Sequence, residues 1–251
     1  AVGSGKGGVG KSSVAALLAI GLSRLGHKTA ILDADITGPS IPSMLGVKGM
    51  PLGVPTGLVP PTSPLLGIKV MSMTLFMEDT SKPVVWRGPL IGNVIGQFWN
   101  NTEWGDAEIL VIDLPPGTSD APLTVMQTIA LDGVIMVTTP QDLSVRIVEK
   151  MMHMTKLMDV PLLGIVENMS YALCPHCGER WELFGPSHLE EVRSRWDIPA
   201  MASLPVDKEI TTLADSGRLE EYRSGDEPEE MAARVLSAAA SAVTTPSGGP
   251  R

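Results

Sequence analysis

Gly5-Lys-Gly-Gly-Val-Gly-Lys-Ser12 fits the spacing G-x-x-x-x-G-K-[ST] and sits between the end of an apolar run and a helix-period segment. A stretch of this kind, in this context, binds phosphate. Gly5, Gly7, Gly8 and Gly10, with Val9 between them, let backbone N–H groups turn inward around phosphate oxygens. Lys11 brings a positive charge to the β and γ phosphates, and the Ser12 hydroxyl is positioned to ligate Mg²⁺. The helix that begins at Ser13 offers its positive N-terminus to the same anion. Lys6 is a second lysine that the general motif does not require; on its residue type alone it reads equally as a solvated loop lysine.

Acidic residues at two further strand ends would complete a hydrolytic centre. Ile31-Leu-Asp-Ala-Asp-Ile-Thr-Gly-Pro-Ser40 supplies Asp33 and Asp35, and Leu110-Val-Ile-Asp-Leu-Pro-Pro-Gly117 supplies Asp113. A phosphate-bound Mg²⁺ needs carboxylates near it, and an attacking water needs an acceptor to orient it. Any one of these aspartates also reads as a turn or cap residue, but three beside a phosphate loop favour the hydrolytic reading. Asn168, at the end of the run Leu162–Val166, has an amide able to pair with an adenine edge or to cap a turn. Pro205-Val206-Asp207 ends another apolar run nearby in the order of the chain.

Cys174-Pro-His-Cys177-Gly follows the Asn168 strand. A turn of this composition points two sulfurs to one side and suits zinc or an iron–sulfur cluster. A four-thiolate site needs twice the sulfur the chain contains, so two subunits facing each other would complete it on a two-fold axis. A zinc site using His176 or His188 as further ligands, a redox thiol pair and an inert pair are the rival readings.

The elements that must position these groups alternate. Thr29–Leu32, Ile109–Ile112, Val134–Val137 and Leu162–Val166 read as strands, and Ser13–Leu25, Leu90–Trp99, Leu143–Met158, His188–Trp196 and Glu227–Val243 as helices. This order predicts an α/β fold with a mostly parallel central sheet covered by helices on both faces, and ligands beyond the carboxyl ends of its strands. Residues 1–243 are expected to form one domain, with 244–251 a frayed tail. Met50–Pro64 is rich in Pro and Gly and is expected to be a long surface loop without regular structure. Ala1-Val2 reads as the tail of a strand, so the natural chain is expected to begin earlier.

Composition narrows the function classes. Of 251 residues 43% are hydrophobic and 19% charged, which supports a folded core, and the net charge of −9 argues against nucleic acid or an anionic membrane as partner. Two cysteines exclude a disulfide-stapled fold. No apolar run approaches the ~18–20 residues of a membrane span, and no leader of the secretory type opens the chain, so a cytoplasmic location is expected.

The loop KGGVGKS resembles the deviant Walker A loop of the SIMIBI-class ATPases, which include MinD and ParA. Over nearly its whole length the chain resembles the Mrp/ApbC/Nbp35 group of P-loop iron–sulfur carriers. The matching stretches are GKGGVGKSS, DADITGPSIP, VVWRGPLIG (residues 84–92), IDLPPGTSDAPLT, ENMSYALCPHCG and LPVDKEI. ENMS joined to CPHCG is the most discriminating of them. The resemblance implies a homodimer enclosing ATP and Mg²⁺, with Lys6 reaching the partner's nucleotide. Asp35 would orient the water, Asp33 and Asp113 would support the metal with Ser12, and the Gly117 N–H would face the γ-phosphate. Asn168 would contact adenine, near Pro205, Val206 and Asp207. It also implies a [4Fe–4S] cluster bridged between subunits by Cys174 and Cys177 and passed to apo iron–sulfur proteins under control of ATP hydrolysis. Ser13 stands where threonine is commoner, and Met73–Glu78 departs from the family's Gly-rich stretch. A partner-recruiting ATPase of the MinD/ParA type with a structural zinc knuckle, and an electron-transfer reductase, are the other readings. The Met-rich helix Lys150–Met158, with His153, reads as core packing and a partner face, and Trp181 and Phe184 as either a shield for the cysteines or packing beneath their loop.

Overall fold

Strands β1 (Val2–Ser4), β2 (Thr29–Asp33) and β7 (Val134–Thr138, the seventh in chain order) are buried along their whole lengths, as strands covered on both faces must be. The computed structural model that places them describes residues 1–36, 38–77, 88–118, 120–141, 145–223 and 227–244. The remaining strands are β3 (Leu52–Val54), β4 (Gly57–Val59), β5 (Lys69–Ser72), β6 (Ile109–Asp113), β8 (Leu162–Leu173), β9 (Arg180–Trp181) and β10 (Ala200–Pro205). The helices are α1 (Lys11–Arg24), α2 (Ile41–Met44), α3 (Gly88–Asn101), α4 (Asp120–Thr128), α5 (Val145–Leu157), α6 (Leu189–Trp196), α7 (Lys208–Asp215) and α8 (Glu227–Thr244).

The main sheet runs β10-β8-β7-β1-β6-β2-β5 with every pair along that path parallel, and β9 adds antiparallel to the far end of β8. Alternate residues of one strand feed opposite cores. In β7, Ile135 and Val137 join the layer built from α1, α2 and α8, whereas Val134 and Met136 join the layer built from α3, α4, α5 and α6. Helices therefore cover both faces, as the alternation of elements predicts. Gly21 of α1 is the point of closest approach to α8, since a methyl group there would lie 2.0 Å from the Pro228 carbonyl oxygen.

Two expectations need correction. Met50–Pro64 contains the antiparallel hairpin β3–β4, paired from Leu52↔Val59 to Val54↔Gly57. Pro51, Pro55 and Pro60 fall outside both strands, so they delimit a hairpin rather than preclude one. Strand β8 does not stop at Val166; it continues past Asn168 to Leu173. The first residues expected in α5, Leu143 and Ser144, and the tail beyond Thr244 lie outside the described residues.

Candidate functional site

Strand β1 delivers the glycine-rich loop and α1 receives it. Gly8 and Gly10 take φ of +82° and +77°, and a Cβ on Gly10 would lie 2.2 Å from Asn168 Nδ2. Only glycine suits that turn at that distance. Lys11, at the first position of α1, is buried and donates to Asp113 Oδ1 at 2.5 Å, while the Ser12 hydroxyl donates to Asp113 Oδ2 at 2.5 Å. Asp113 stands there because β6 lies beside β1. Asp35 Oδ2 lies 3.9 Å from Lys11 Nζ. The loop borders a cleft of about 240 Å³ shared with Asp35, Ser40 and Pro116. Lys6, Gly7 and Gly8 are exposed at its rim, Val9 is buried beneath it, and Gly5 and Ser13 are partly covered.

Asp33 is fully buried and pairs in register with Asp113 across β2 and β6. Its carboxylate accepts hydrogen bonds from the Asp35, Ser40 and Ile41 N–H groups and the Ser72 hydroxyl. It therefore organises the turn carrying Asp35 and the start of α2, which is where its oxygens are spent. Burial, and then the Asp113 charge, push its carboxyl up to about 7. Burial also raises Asp113, opposed by Lys11 and Ser12. Three carboxylates around one buried ammonium leave a negative excess, and the adjacent Ser12 hydroxyl and Asp113 carboxylate are the hard oxygen donors that Mg²⁺ takes.

Other expected residues have definite partners. The Gly117 N–H donates to the Ser4 carbonyl at 2.9 Å, rather than pointing out as a ready phosphate donor. Asn168 lies within β8, not at its end, and its amide donates to the Val9 carbonyl at 2.9 Å. Pro205 ends β10, the Val206 N–H donates to the Tyr171 carbonyl at 2.6 Å, and Asp207 caps α7 while accepting from the Tyr222 hydroxyl at 3.0 Å. These residues border β8 beyond Asn168. Of the VVWRGPLIG stretch, Trp86 and Arg87 lie outside the described residues, as do Thr37 and Ser119.

The cysteines cap a hairpin formed where β8 overshoots the sheet and pairs with β9. The Cys174 N–H donates to the Glu179 carbonyl at 2.9 Å and the Gly178 N–H to the Cys174 carbonyl at 2.8 Å. The Cys174 thiol is drawn below its usual range by the N–H groups of His176 and Cys177 and by the Cys177 thiol. Donors of this kind favour thiolate, the form that binds metal. Cys177 is exposed and Cys174 half-buried. Among the described residues no three His, Cys, Asp or Glu side chains gather in a metal-holding group, so the structure does not bring His176 or His188 to the pair as a further ligand. Trp181 is 55% exposed and Phe184 37%. His153 is exposed on α5, whereas Met151 and Met154 are buried in the core.

Two residues were not anticipated. Glu167 is fully buried in β8, with Oε2 accepting from the Ser170 hydroxyl and Oε1 without a partner among the described residues. A carboxylate inside the apolar run of β8 was a visible signal, but its partner could not be read from spacing.

The parallel sheet, the glycine-rich loop feeding α1 and the buried Lys11–Asp113–Ser12 group define a P-loop NTPase of MinD/ParA architecture. MinD from Aquifex aeolicus shares that fold at a TM-score of 0.62 and 18% identity, over 94% of this chain and 95% of that one. The family described as ParA, NUBPL iron-transfer P-loop NTPase, matches residues 1–244, and the chain belongs to it. It is similar to the iron–sulfur cluster carrier protein of Methanocaldococcus jannaschii, 43% identical over 85% of this chain and 74% of that protein. The iron–sulfur cluster transfer protein NUBPL of Dictyostelium discoideum is 40% identical over 91% of this chain and 71% of that one. The chain spans 60% of the length of the Aquifex aeolicus iron–sulfur cluster carrier protein, at 40% identity. A nucleotide-binding protein from Archaeoglobus fulgidus, solved in complex with ADP and with cobalt found, superposes at a TM-score of 0.81 with 44% identity over 90% of this chain and 88% of that one.

Proposed function

We propose that this chain is an ATP-dependent carrier of iron–sulfur clusters that works as a homodimer. The observation that carries this reading is the pair Cys174 and Cys177, one half-buried and one exposed, in the turn that directly follows the strand touching the phosphate loop. One chain offers half the thiolates of a four-thiolate site, and a second copy supplies the rest. The cargo is a [4Fe–4S] cluster bound between the copies and handed to apo-proteins. The single domain we assign is residues 1–243.

Lys11 neutralises phosphate charge in cis, and Lys6, exposed at the rim, reaches the nucleotide of the partner. Ser12 and Asp113 would hold Mg²⁺, which when bound draws charge from the β and γ phosphate oxygens. Asp35 accepts a hydrogen bond from the attacking water. That water forms a bond to the γ-phosphorus as the bond to the bridging oxygen breaks, one of its protons staying on the released phosphate and the other passing to solvent, with ADP as the leaving group. Asp33 keeps the Asp35 turn in place. Asn168 exchanges its bond to Val9 for the adenine edge, with Pro205, Val206 and Asp207 beside it. The likeness to an ADP-bound protein and to curated cluster carriers supports this assignment.

Anaerobic reconstitution with iron and sulfide tests it. The intact chain should gain the broad visible absorption of a cluster, and Cys174→Ala should not. Iron and sulfide bound normally by Cys174→Ala would refute the site, and stoichiometric zinc in place of iron would favour a partner-recruiting ATPase with a structural knuckle.

A further inference from the structure

Most strands of the main sheet stop where the ligand cleft begins; β8 passes it and runs on to the cysteines. Its pairing with β10 slips on the way. Ser203 pairs with Glu167 and Pro205 with Tyr171, so Asn168, Met169 and Ser170 stand opposite the one residue Leu204. Two extra residues therefore form a bulge, with Met169 at φ +55°, a conformation unfavourable for a side-chain-bearing residue unless its surroundings hold it.

Both edges of the bulge are tied to something specific. On one side the Asn168 amide donates to the Val9 carbonyl, 159 residues away in the phosphate loop, and the Met169 methyl would be 3.6 Å from a Cβ on Gly10. On the other side the buried Ser170 hydroxyl donates to Glu167, whose second oxygen is buried without a hydrogen-bond partner among the described residues. Leaving a buried carboxylate oxygen unpaired is costly. Beyond the bulge the chain is stiff again: Val206 binds the Tyr171 carbonyl, and Ala172 and Leu173 pair with Trp181 and Arg180. Three residues, Tyr171, Ala172 and Leu173, separate Ser170 from Cys174.

We infer that the Asn168–Ser170 bulge is the element through which the phosphate loop sets the position of Cys174, with Glu167 and Ser170 as positioning residues that hold it in one of two arrangements. A regular ladder could not shift without breaking its hydrogen bonds, whereas a bulge rearranges locally. A nucleotide that reshapes the loop at Val9 and Gly10, or draws off the Asn168 amide, changes the bulge, and the rigid segment beyond it carries that change to the hairpin. The inference rests on the proposed coupling of nucleotide to cluster and names the route.

The test is the rate at which a chromogenic disulfide modifies the cysteines of the cluster-free full chain, with and without a non-hydrolysable ATP analogue. In the unaltered protein the analogue should change the rate by about 5-fold or more, the lower range of coupling between two sites. Ser170→Ala and Met169→Gly, which frees the latch and relieves the positive φ respectively, should bind the analogue with unchanged affinity yet lose most of that response, and Ser170→Thr should retain it. A full response in both Ser170→Ala and Met169→Gly overturns the route while leaving the carrier reading intact. No response in the unaltered protein overturns the coupling itself, and the route with it. Should Ser170→Ala fail to fold, Met169→Gly decides alone.

Discussion

Lys11 is buried, and the Asp113 carboxylate lies against its ammonium. Lys11→Ala should therefore lower ATP hydrolysis by about 10²-fold or more, the scale of losing one preorganised charge donor, and should abolish ATP-dependent cluster transfer; both are read by steady-state phosphate release and by activation of an apo-acceptor. Asp113→Ala removes the 2.5 Å partner of a buried ammonium, leaving it the Ser12 hydroxyl at 3.4 Å and Asp35 at 3.9 Å, and should cost about 3 kcal/mol of folding stability in the nucleotide-free protein by denaturant titration. Asp33 gives a pH signature. Its folded-state value of about 7 exceeds its ordinary 3.8, so between those values the unfolded chain has lost the proton that the folded chain keeps. Stability must then fall as pH rises through this window. Metal-free protein should have a lower unfolding midpoint at about pH 8 than at about pH 5, and Asp33→Asn should flatten that slope. The phosphate-loop residues were legible in the sequence because their spacing is local. Partner assignments such as Asn168 to Val9 and Gly117 to Ser4 were not, since they join segments that only the sheet order brings together.

Helix and strand identities were most legible where burial is two-sided. The runs in β2, β6 and β7 are apolar throughout and end in Asp or Thr within a residue of the expected positions. Strand β5 is four residues of Lys-Val-Met-Ser and carries too little pattern to recognise alone. The β3–β4 hairpin was hidden by the prolines that bound it. Helix α7 was masked because Asp207, its cap, reads equally as part of a ligand loop. The α1–α8 crossing offers a sharp test of packing. Gly21→Ala puts a methyl group into the Pro228 carbonyl, and backbone cannot yield as a flexible side chain does. We expect a loss of about 1–3 kcal/mol and a lower thermal midpoint. Ser23→Ala, on the half-exposed face of the same helix, should change stability by no more than about 0.5 kcal/mol.

Viewed as a whole, the molecule places its nucleotide cleft and its thiols beyond the carboxyl ends of β1 and β8 but offers only two thiols, beside exposed Leu173, Trp181 and Phe184. Pairing of two chains is thus the claim on which cargo, hydrolysis and control all depend. Light scattering combined with iron and sulfide analysis of the anaerobically reconstituted protein tests it most directly. A dimer holding about four iron and four sulfide per two chains is expected, with both lost together in Cys177→Ala. A monomer that retains a full complement of iron and sulfide on each chain would refute the pairing.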